Sequence, residues 1–473
     1  MPGRLCGLFE NTGTAMYDAI IIGAGMSGLA AGIRLAHFDQ KVCILERHTT
    51  IGGLNSFYRI NGRNYDVGLH AVTNYLSSRA PKRGPMTRLL RQLRIKWEDL
   101  SLTPQVGSTI AFPGVRLDFT NEFERFESEV ADKFPGQVDN LRRLVDQLID
   151  YDDLGQVGNE TSAREVVGRY IDDPLLVEMI FCPLLYYGGA RECDMEWGQF
   201  SIMFRSIFLE GFSRPFKGVR LILKNLVRKF KSLGGELRLR AGVSRVVARG
   251  GHVERLVLDD GSEVEGRRIL SSAGWRETMR LCEEPTPEST PSGQLSFIES
   301  ISVLDTFPRN LGHDRTIVFF NDSREFHYEK PEGLVDLRSG VICSPNNFAY
   351  EEPLGDGVVR ITALANYDRW AELDEDAYRL EKLRWYDRSV DSAVRFMPDF
   401  RRHVVDTDMF TPTTIRRFTG HDNGAVYGAP SKRYDGRTHL DNLYVCGTDQ
   451  GMVGIIGSII SGITVANAYC LRE

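Results

Sequence analysis

Residues 17–46 read Tyr17-Asp-Ala-Ile-Ile-Ile22, Gly23-Ala24-Gly25-Met26-Ser27-Gly28, then Leu29 to Gln40, then Lys41-Val-Cys-Ile-Leu45-Glu46. The opening apolar run predicts a short buried strand. Leu29, Ala30, Ile33, Leu35 and Ala36 recur at helical spacing, and Lys41 to Leu45 predicts a second strand that ends at Glu46. The three glycines have separate tasks. The first makes the tight turn, the second lets the backbone approach a pyrophosphate, and the third lets helix and strand pack closely. The helix N-terminus, which carries Met26 and Ser27, offers unpaired N–H groups and a positive dipole end to phosphates. Glu46 lies 18 residues beyond Gly28, where a carboxylate can accept ribose hydroxyls. A lone glycine triplet is a weak signal. Strand, triplet, helix, strand and acid in register predict a βαβ dinucleotide-binding unit. Glu46 also disfavours a 2′-phosphate, and with it NADP.

The flanking sequence favours FAD over NAD. Arg47 follows the acid, and Gly52-Gly53 supplies a second glycine pair that can pass near the pyrophosphate. Asn64-Tyr-Asp66-Val-Gly68 closes a predicted hairpin, with His70 just after it. Near the other end, Asn442-Leu-Tyr-Val-Cys446 predicts a strand that leads into Gly447-Thr448-Asp449. Asp449 is expected to hydrogen-bond the ribityl or phosphate region. Gly454-Ile455-Ile456-Gly457 opens a helix whose N-terminal amides would face the pyrimidine edge of a flavin and stabilise its anionic reduced ring.

These segments resemble the FAD-binding segments of a large flavoprotein group that includes amine oxidases, protoporphyrinogen oxidase and phytoene desaturases. The resemblance is closest to the phytoene desaturase family, which also covers carotenoid isomerases and retinol saturases, and it extends across most of the chain. Pro215-Phe-Lys-Gly218, Gly234-Gly235-Glu236, Ile269 to Gly274, Thr411-Pro-Thr-Thr414 and Tyr427-Gly428 all fit it. Leu239 to Val246 resembles the strand that contacts adenine through its backbone, at Val243; Ala273 lies on the strand that returns to the flavin.

The resemblance implies an α/β fold, with a Rossmann-type FAD-binding domain (16–80, 215–275 and 415–473) interleaved with an α+β substrate-binding domain (81–214 and 276–414). Strands at Leu295 to Leu304 and Val358 to Ala365, covered by helices at 138–150 and 375–397, are expected in the second domain. It further implies an FAD-dependent oxidoreductase that desaturates, saturates or isomerises a carotenoid, retinoid or related polyisoprenoid. An amine oxidase-like enzyme is the alternative. A third reading, a non-enzymatic prenyl-protein escort, sits poorly with the intact glycine triplet, Glu46 and Asp449.

Composition narrows the rest. A chain of 473 residues with 42% hydrophobic and 26% charged residues predicts a folded protein of two domains. The net charge of -6 argues against nucleic acid as the main partner. The eight cysteines form no Cys-x-x-Cys pair and the nine histidines are dispersed, so no metal site is expected. Scattered cysteines without a secretory signal fit reduced thiols in a cytoplasm-like compartment. Residues 1–15 contain Arg4 and Glu10, lack an apolar run, and read as a disordered tail ahead of Met16. From Gln450 to Leu471 there is no charge, but Gly451, Gly454, Gly457 and Gly462 argue for a helix buried on a sheet rather than a membrane span.

One region breaks the acidic balance. Between Arg205 and Lys231 there are eight Lys or Arg and one acid, Glu210. Val219, Ile222, Leu223, Leu226, Val227, Phe230 and Leu233 mark one helical face and Lys217, Arg220, Lys224, Arg228 and Lys231 the other, as in an amphipathic helix on a core. Upstream, Phe200, Phe204 and Phe208 recur every fourth residue, to line a substrate tunnel or meet a membrane. Reversible membrane-surface contact through 200–231 is therefore expected. No catalytic triad is written. His70 is the sole nominee for a polar group near the flavin, against a purely structural role.

Overall fold

The computed structural model describes residues 16–76, 84–151, 161–283 and 291–471; the expected tail at 1–15 lies outside them. Strand β1 (Tyr17–Ile22), helix α1 (Met26–Ala36) and strand β2 (Val42–Glu46) form the expected unit. They sit in a five-stranded sheet ordered Leu443–Val445, Gly266–Ser271, β1, β2, Glu236–Leu239, in which every pairing is parallel. Both faces of this sheet are covered, which is why β1 is apolar without alternation: Ala19, Ile20 and Ile21 are fully buried. On one face lie α1 and the helices Val219–Ser232 and Gly454–Val465. On the other lies an antiparallel meander, Val243–Arg249, His252–Leu258 and Glu263–Val264.

The uncharged run at 450–471 is the Gly454–Val465 helix and a following π-helical turn, Ala466–Cys470. It lies along α1, and a Cβ on Gly462 would come within 2.0 Å of the Ser27 carbonyl oxygen, so the crossing requires glycine. Among the described residues no helix is long and apolar enough to cross a membrane.

A second sheet has seven strands, ordered Val404–Phe410, Ser296–Leu304, Gly357–Ala365, Val335–Cys343, Ile317–Asn321, Ser108–Phe112, Val115–Phe119. The pairing of Ile317–Asn321 with Ser108–Phe112 is parallel and the others are antiparallel. Two of its strands are those expected from sequence, paired without a slip from Ser296 with Ala365 to Leu304 with Gly357. The Glu375–Ala393 helix covers one face; its N-cap Asp374 accepts the Ala377 amide. Val138–Ile149, Pro174–Gly188 and Trp197–Phe204 build the core on the other.

Two expectations change. Phe200, Phe204 and Phe208 face neither a tunnel nor a membrane. They are at most 1% exposed and pack with Phe126 and Phe181; the Phe126 and Phe208 rings stack with centroids 4.5 Å apart. Their four-residue spacing is a core stripe, because neighbouring helices cover it. The segment after 84, assigned to the substrate domain, packs instead beneath the parallel sheet: Met86, Leu89, Leu90 and Leu93 of the Pro85–Leu93 helix join the core of α1 and Val219–Ser232.

Candidate active site

A cavity of about 880 Å³ runs between the two sheets and takes its walls from both. Its floor is the glycine loop. Gly23 turns the chain with φ of 95°, and its amide donates to Leu45 O at 2.8 Å. Gly25 is the N-cap of α1, and a Cβ there would meet no protein atom within 4 Å. A Cβ on Gly28 would lie 2.1 Å from Gly23 O, so this third glycine serves packing and stays off the cavity surface. The second glycine pair is stitched to the first: Gly52, at φ of 111°, donates its amide to Ala24 O at 3.0 Å.

The Glu46 carboxylate is fixed beside this floor. It accepts the Ala24 and His48 amides, each at 2.9 Å, and lines the cavity. Arg47 follows it, with Nη2 donating to Arg417 O at 3.3 Å. Gly23, Gly25, Met26, Ser27, Glu46, Arg47, Gly52, Gly53, Val243, Ala273, Gly447, Gly454 and Ile455, expected at the cofactor, all share this wall. Gly25 and Gly454 are decisive for fit. At both, a Cβ would project into open space, so the backbone is bare where a ligand must come close. The start of the Gly454–Val465 helix adds amide dipoles there.

Asp449 and Ile456 stand off the cavity. Asp449, 5% exposed, accepts the Trp275 amide at 2.6 Å and the Ala429 amide at 2.8 Å. Its carboxylate fastens two loops behind the wall, because those amides have no sheet partner, and that replaces the expected cofactor contact. Ile456 turns away to the apolar contact with Met86, Leu90 and Ile222. Residues not expected from sequence also line the wall, among them Ser272, Glu277 and Arg280.

The far end of the cavity is apolar, walled by Tyr186, Tyr187, Phe297, Val341, Val426 and Tyr427. Burial pushes the phenols of Tyr186, Tyr187 and Tyr427 up, which keeps them neutral. Tyr186 exchanges a hydrogen bond with Ser339 Oγ at 2.8 Å, and Tyr427 donates to the Tyr186 carbonyl.

His70 stands in this wall with Glu299 and Thr362. Its Nε2 is 3.1 Å from Thr362 Oγ1 and 3.4 Å from Glu299 Oε1. Glu299 pairs with Arg360, and both are 3% exposed. Burial alone would raise the Glu299 carboxyl, but Arg360 and then His70 outweigh it and hold it at about 2. Arg360 also donates to Leu69 O and Asp66 O, each at 2.9 Å, and Arg214 donates to Leu69 O and Asp66 Oδ2, each at 2.7 Å. The polypeptide that carries His70 is thereby clamped by two buried guanidiniums. Glu299 and Arg360 were missed from sequence, although a lone charge inside each of two apolar strands was the signal.

The flavin containing amine oxidoreductase family matches residues 26–469. The chain belongs to this family. It is an oxidoreductase, and its cofactor is FAD; the bare glycine floor, Glu46 and the Gly454 helix start would form the cradle for it. The chain is similar to chloroplastic prolycopene isomerase of Arabidopsis thaliana, 22% identical over 98% of this chain and 84% of that protein. It is also similar to all-trans-retinol 13,14-reductase of Danio rerio (22%, covering 96% and 86%) and to the lycopene-forming phytoene desaturase of Pantoea ananas (24%, covering 94% and 97%). Among solved structures, an oxidoreductase from Methanosarcina mazei superposes with a TM-score of 0.68 at 15% identity, covering 95% of this chain and 99% of that one. Putrescine oxidase bound to putrescine gives 0.63 at 17% identity, covering 97% and 100%. These structural likenesses speak to the fold.

Within this family fold, FAD supplies hydride chemistry when bound. The chain's own residues do the rest. Gly25 and Gly454 would let backbone amides reach the cofactor, Glu46 would orient its ribose, and the aromatic wall would exclude water.

Proposed function

We propose that this flavoenzyme desaturates, saturates or isomerises a double bond of a carotenoid, retinoid or related polyisoprenoid. The observation that carries the reading is the apolar far end of the cavity. The carboxylate there, Glu299, is committed to Arg360 and His70 and does not await a polar substrate. Tyr186, Tyr187, Phe297 and Tyr427 give flat contact area suited to a conjugated chain. Similarity over 94–98% of this chain to an isomerase, a reductase and a desaturase of such molecules supports the class.

Such substrates reside in lipid, and the reading includes reversible contact with an anionic membrane surface. With the 200–208 aromatics in the core, that contact rests on the exposed basic residues Lys217, Lys224, Arg228 and Lys231.

The test is product analysis with FAD-loaded enzyme on carotenoid and retinoid substrates, with the flavin oxidised and reduced. A change in double-bond count or geometry is expected. Peroxide release with a soluble amine, and no change in any polyene, would move the enzyme to the amine oxidase reading.

A further inference from the structure

The apolar end of the cavity holds an imidazole that is anchored at one nitrogen and open at the other. All the side-chain partners of His70 are at Nε2: Thr362 Oγ1 at 3.1 Å and Glu299 Oε1 at 3.4 Å. No hydrogen bond or ion pair is made at Nδ1 among the described residues, and the ring stands in the cavity wall. The Glu299 carboxylate 3.4 Å away can only accept and therefore favours a proton on Nε2, where the Thr362 hydroxyl can accept as well as donate. The Nδ1 lone pair is then the free basic site.

The support behind the ring is expensive. Burying a carboxylate and a guanidinium carries a large desolvation penalty before their attraction is counted. A histidine kept only to fill space needs no such backing. Here Arg360 does two things at once: it holds Glu299 charged, and it grips the carbonyls of Asp66 and Leu69, just ahead of His70. Ring direction and backbone position are set by the same guanidinium.

We propose that His70 carries the proton of the reaction through Nδ1, with Glu299 and Arg360 as positioning residues. The proposal rests on the polyene reading above. Saturating a C=C bond requires a hydride at one carbon and a proton at the other. The hydride, with both electrons, comes from reduced FAD. The proton leaves Nδ1 of the His70 imidazolium, which becomes neutral while Glu299 remains ionised. Desaturation reverses each transfer: the hydride goes to oxidised FAD and the proton to Nδ1. Isomerisation by adding and returning one proton uses the same nitrogen with no net oxidation.

Several ionisable groups around the ring are held far from neutrality. Glu299 on the Ser296–Leu304 strand titrates at about 2. Cys343, whose Sγ lies 3.9 Å from His70 O, is pushed by burial to about 11, and Tyr187 is pushed up by burial as well. Burial opposes the charge on Arg360, but Glu299 outweighs it and the guanidinium stays protonated. Behind the ring, Arg214 donates to His70 O at 3.4 Å and pairs with Asp66.

The test uses His70→Gln in the FAD-loaded enzyme, since an amide can still donate to Glu299 but cannot shuttle a proton. Unchanged FAD content, visible spectrum and melting temperature are expected. With a polyene in D₂O, wild type should place solvent deuterium at the reacting carbon. The variant should lose about 10²–10⁴-fold in the chemical step, the usual worth of general acid–base catalysis. A flavin-loaded variant with the wild-type rate overturns the proposal. A second measurement needs no substrate. Long-range ¹H–¹⁵N spectra of histidine-labelled holoenzyme, with His70 identified by its loss in His70→Gln, should show the Nε2–H form at high pH and a second proton arriving at Nδ1. An Nδ1–H form, or no titration, overturns the proposal even if every polyene proves inert, which by itself would overturn only the substrate reading.

Discussion

Gly25 and Gly28 lie three residues apart in the same loop, yet their substitutions should fail differently. Gly25 has ordinary extended φ and ψ of -73° and 179°, and a side chain there would meet only cavity. Gly25→Val is therefore expected to fold, melt near the wild-type apo temperature and purify without flavin colour. A side chain on Gly28 would strike Gly23 O at 2.1 Å and Ile21 at 3.2 Å, so Gly28→Val should lower the yield of folded protein itself. Absorbance and melting curves separate the two; a yellow, fully loaded Gly25→Val would remove the glycine floor from the cofactor site. His313 makes a second prediction. It is 4% exposed, and its Nε2 has no hydrogen-bond partner; burial holds its pKa down at about 4. The unfolded chain takes up this proton below its own value near 6.5, while the folded chain resists until about 4. Stability from this group is thus complete above pH 6.5 and declines as pH falls toward 4, by on the order of 3 kcal/mol. His313→Phe should flatten the fall in urea midpoint over this window; an unchanged slope would assign it to other groups.

The Val219–Ser232 helix shows how far an element can be read before its neighbours are known. Its period placed Val219, Ile222, Leu223, Leu226, Val227, Phe230 and Leu233 on the inner face; all but Val227 and Leu233 are buried, and those two are half-buried at its margin. Lys224, Arg228 and Lys231 are exposed, and each basic group near an anionic surface is worth about 1 kcal/mol at low salt. Reversing the three to glutamate should abolish flotation with anionic liposomes while FAD content stays constant. High salt should weaken the wild type in the same direction; flotation of the reversed variant at the wild-type level would end the membrane proposal. The same kind of reading gave β1, α1 and the strand pair that joins Ser296 to Ala365, because local period and turn residues specify such elements. It misplaced Phe200, Phe204 and Phe208, since period identifies a buried face without saying what buries it. It also sent Asp449 to the cofactor. An acid after a strand end suits either a ligand or stray amides, and the amides of Trp275 and Ala429 are brought to it from distant segments. Glu299 and Arg360 are 61 residues apart in sequence, and only the register of two neighbouring strands makes them a pair.

At the scale of the molecule, the cavity is the seam between the sheets. Gly23, Gly25 and Glu46 approach it from the parallel sheet, and Phe297, Glu299 and Thr362 from the mixed one. A cofactor in that seam touches the folded chain in a way the unfolded chain cannot reproduce. Binding to the native state alone stabilises by RT ln(1 + [L]/Kd), about 2.7 kcal/mol at one hundred times Kd. Stripping FAD should therefore lower the melting temperature, and adding it back should raise the midpoint in proportion to the logarithm of its concentration. Because both sheets wall the site, this rise should be seen by probes in each, such as Trp275 beside the parallel sheet and Trp385 on the helix over the mixed one. Gly25→Val, with its floor filled, should melt at one temperature whatever the FAD concentration. If FAD raised only the transition reported near Trp275, the cofactor would be held by the parallel-sheet half alone, and the wall contributed by Glu299 and Thr362 would face substrate without contributing to cofactor binding.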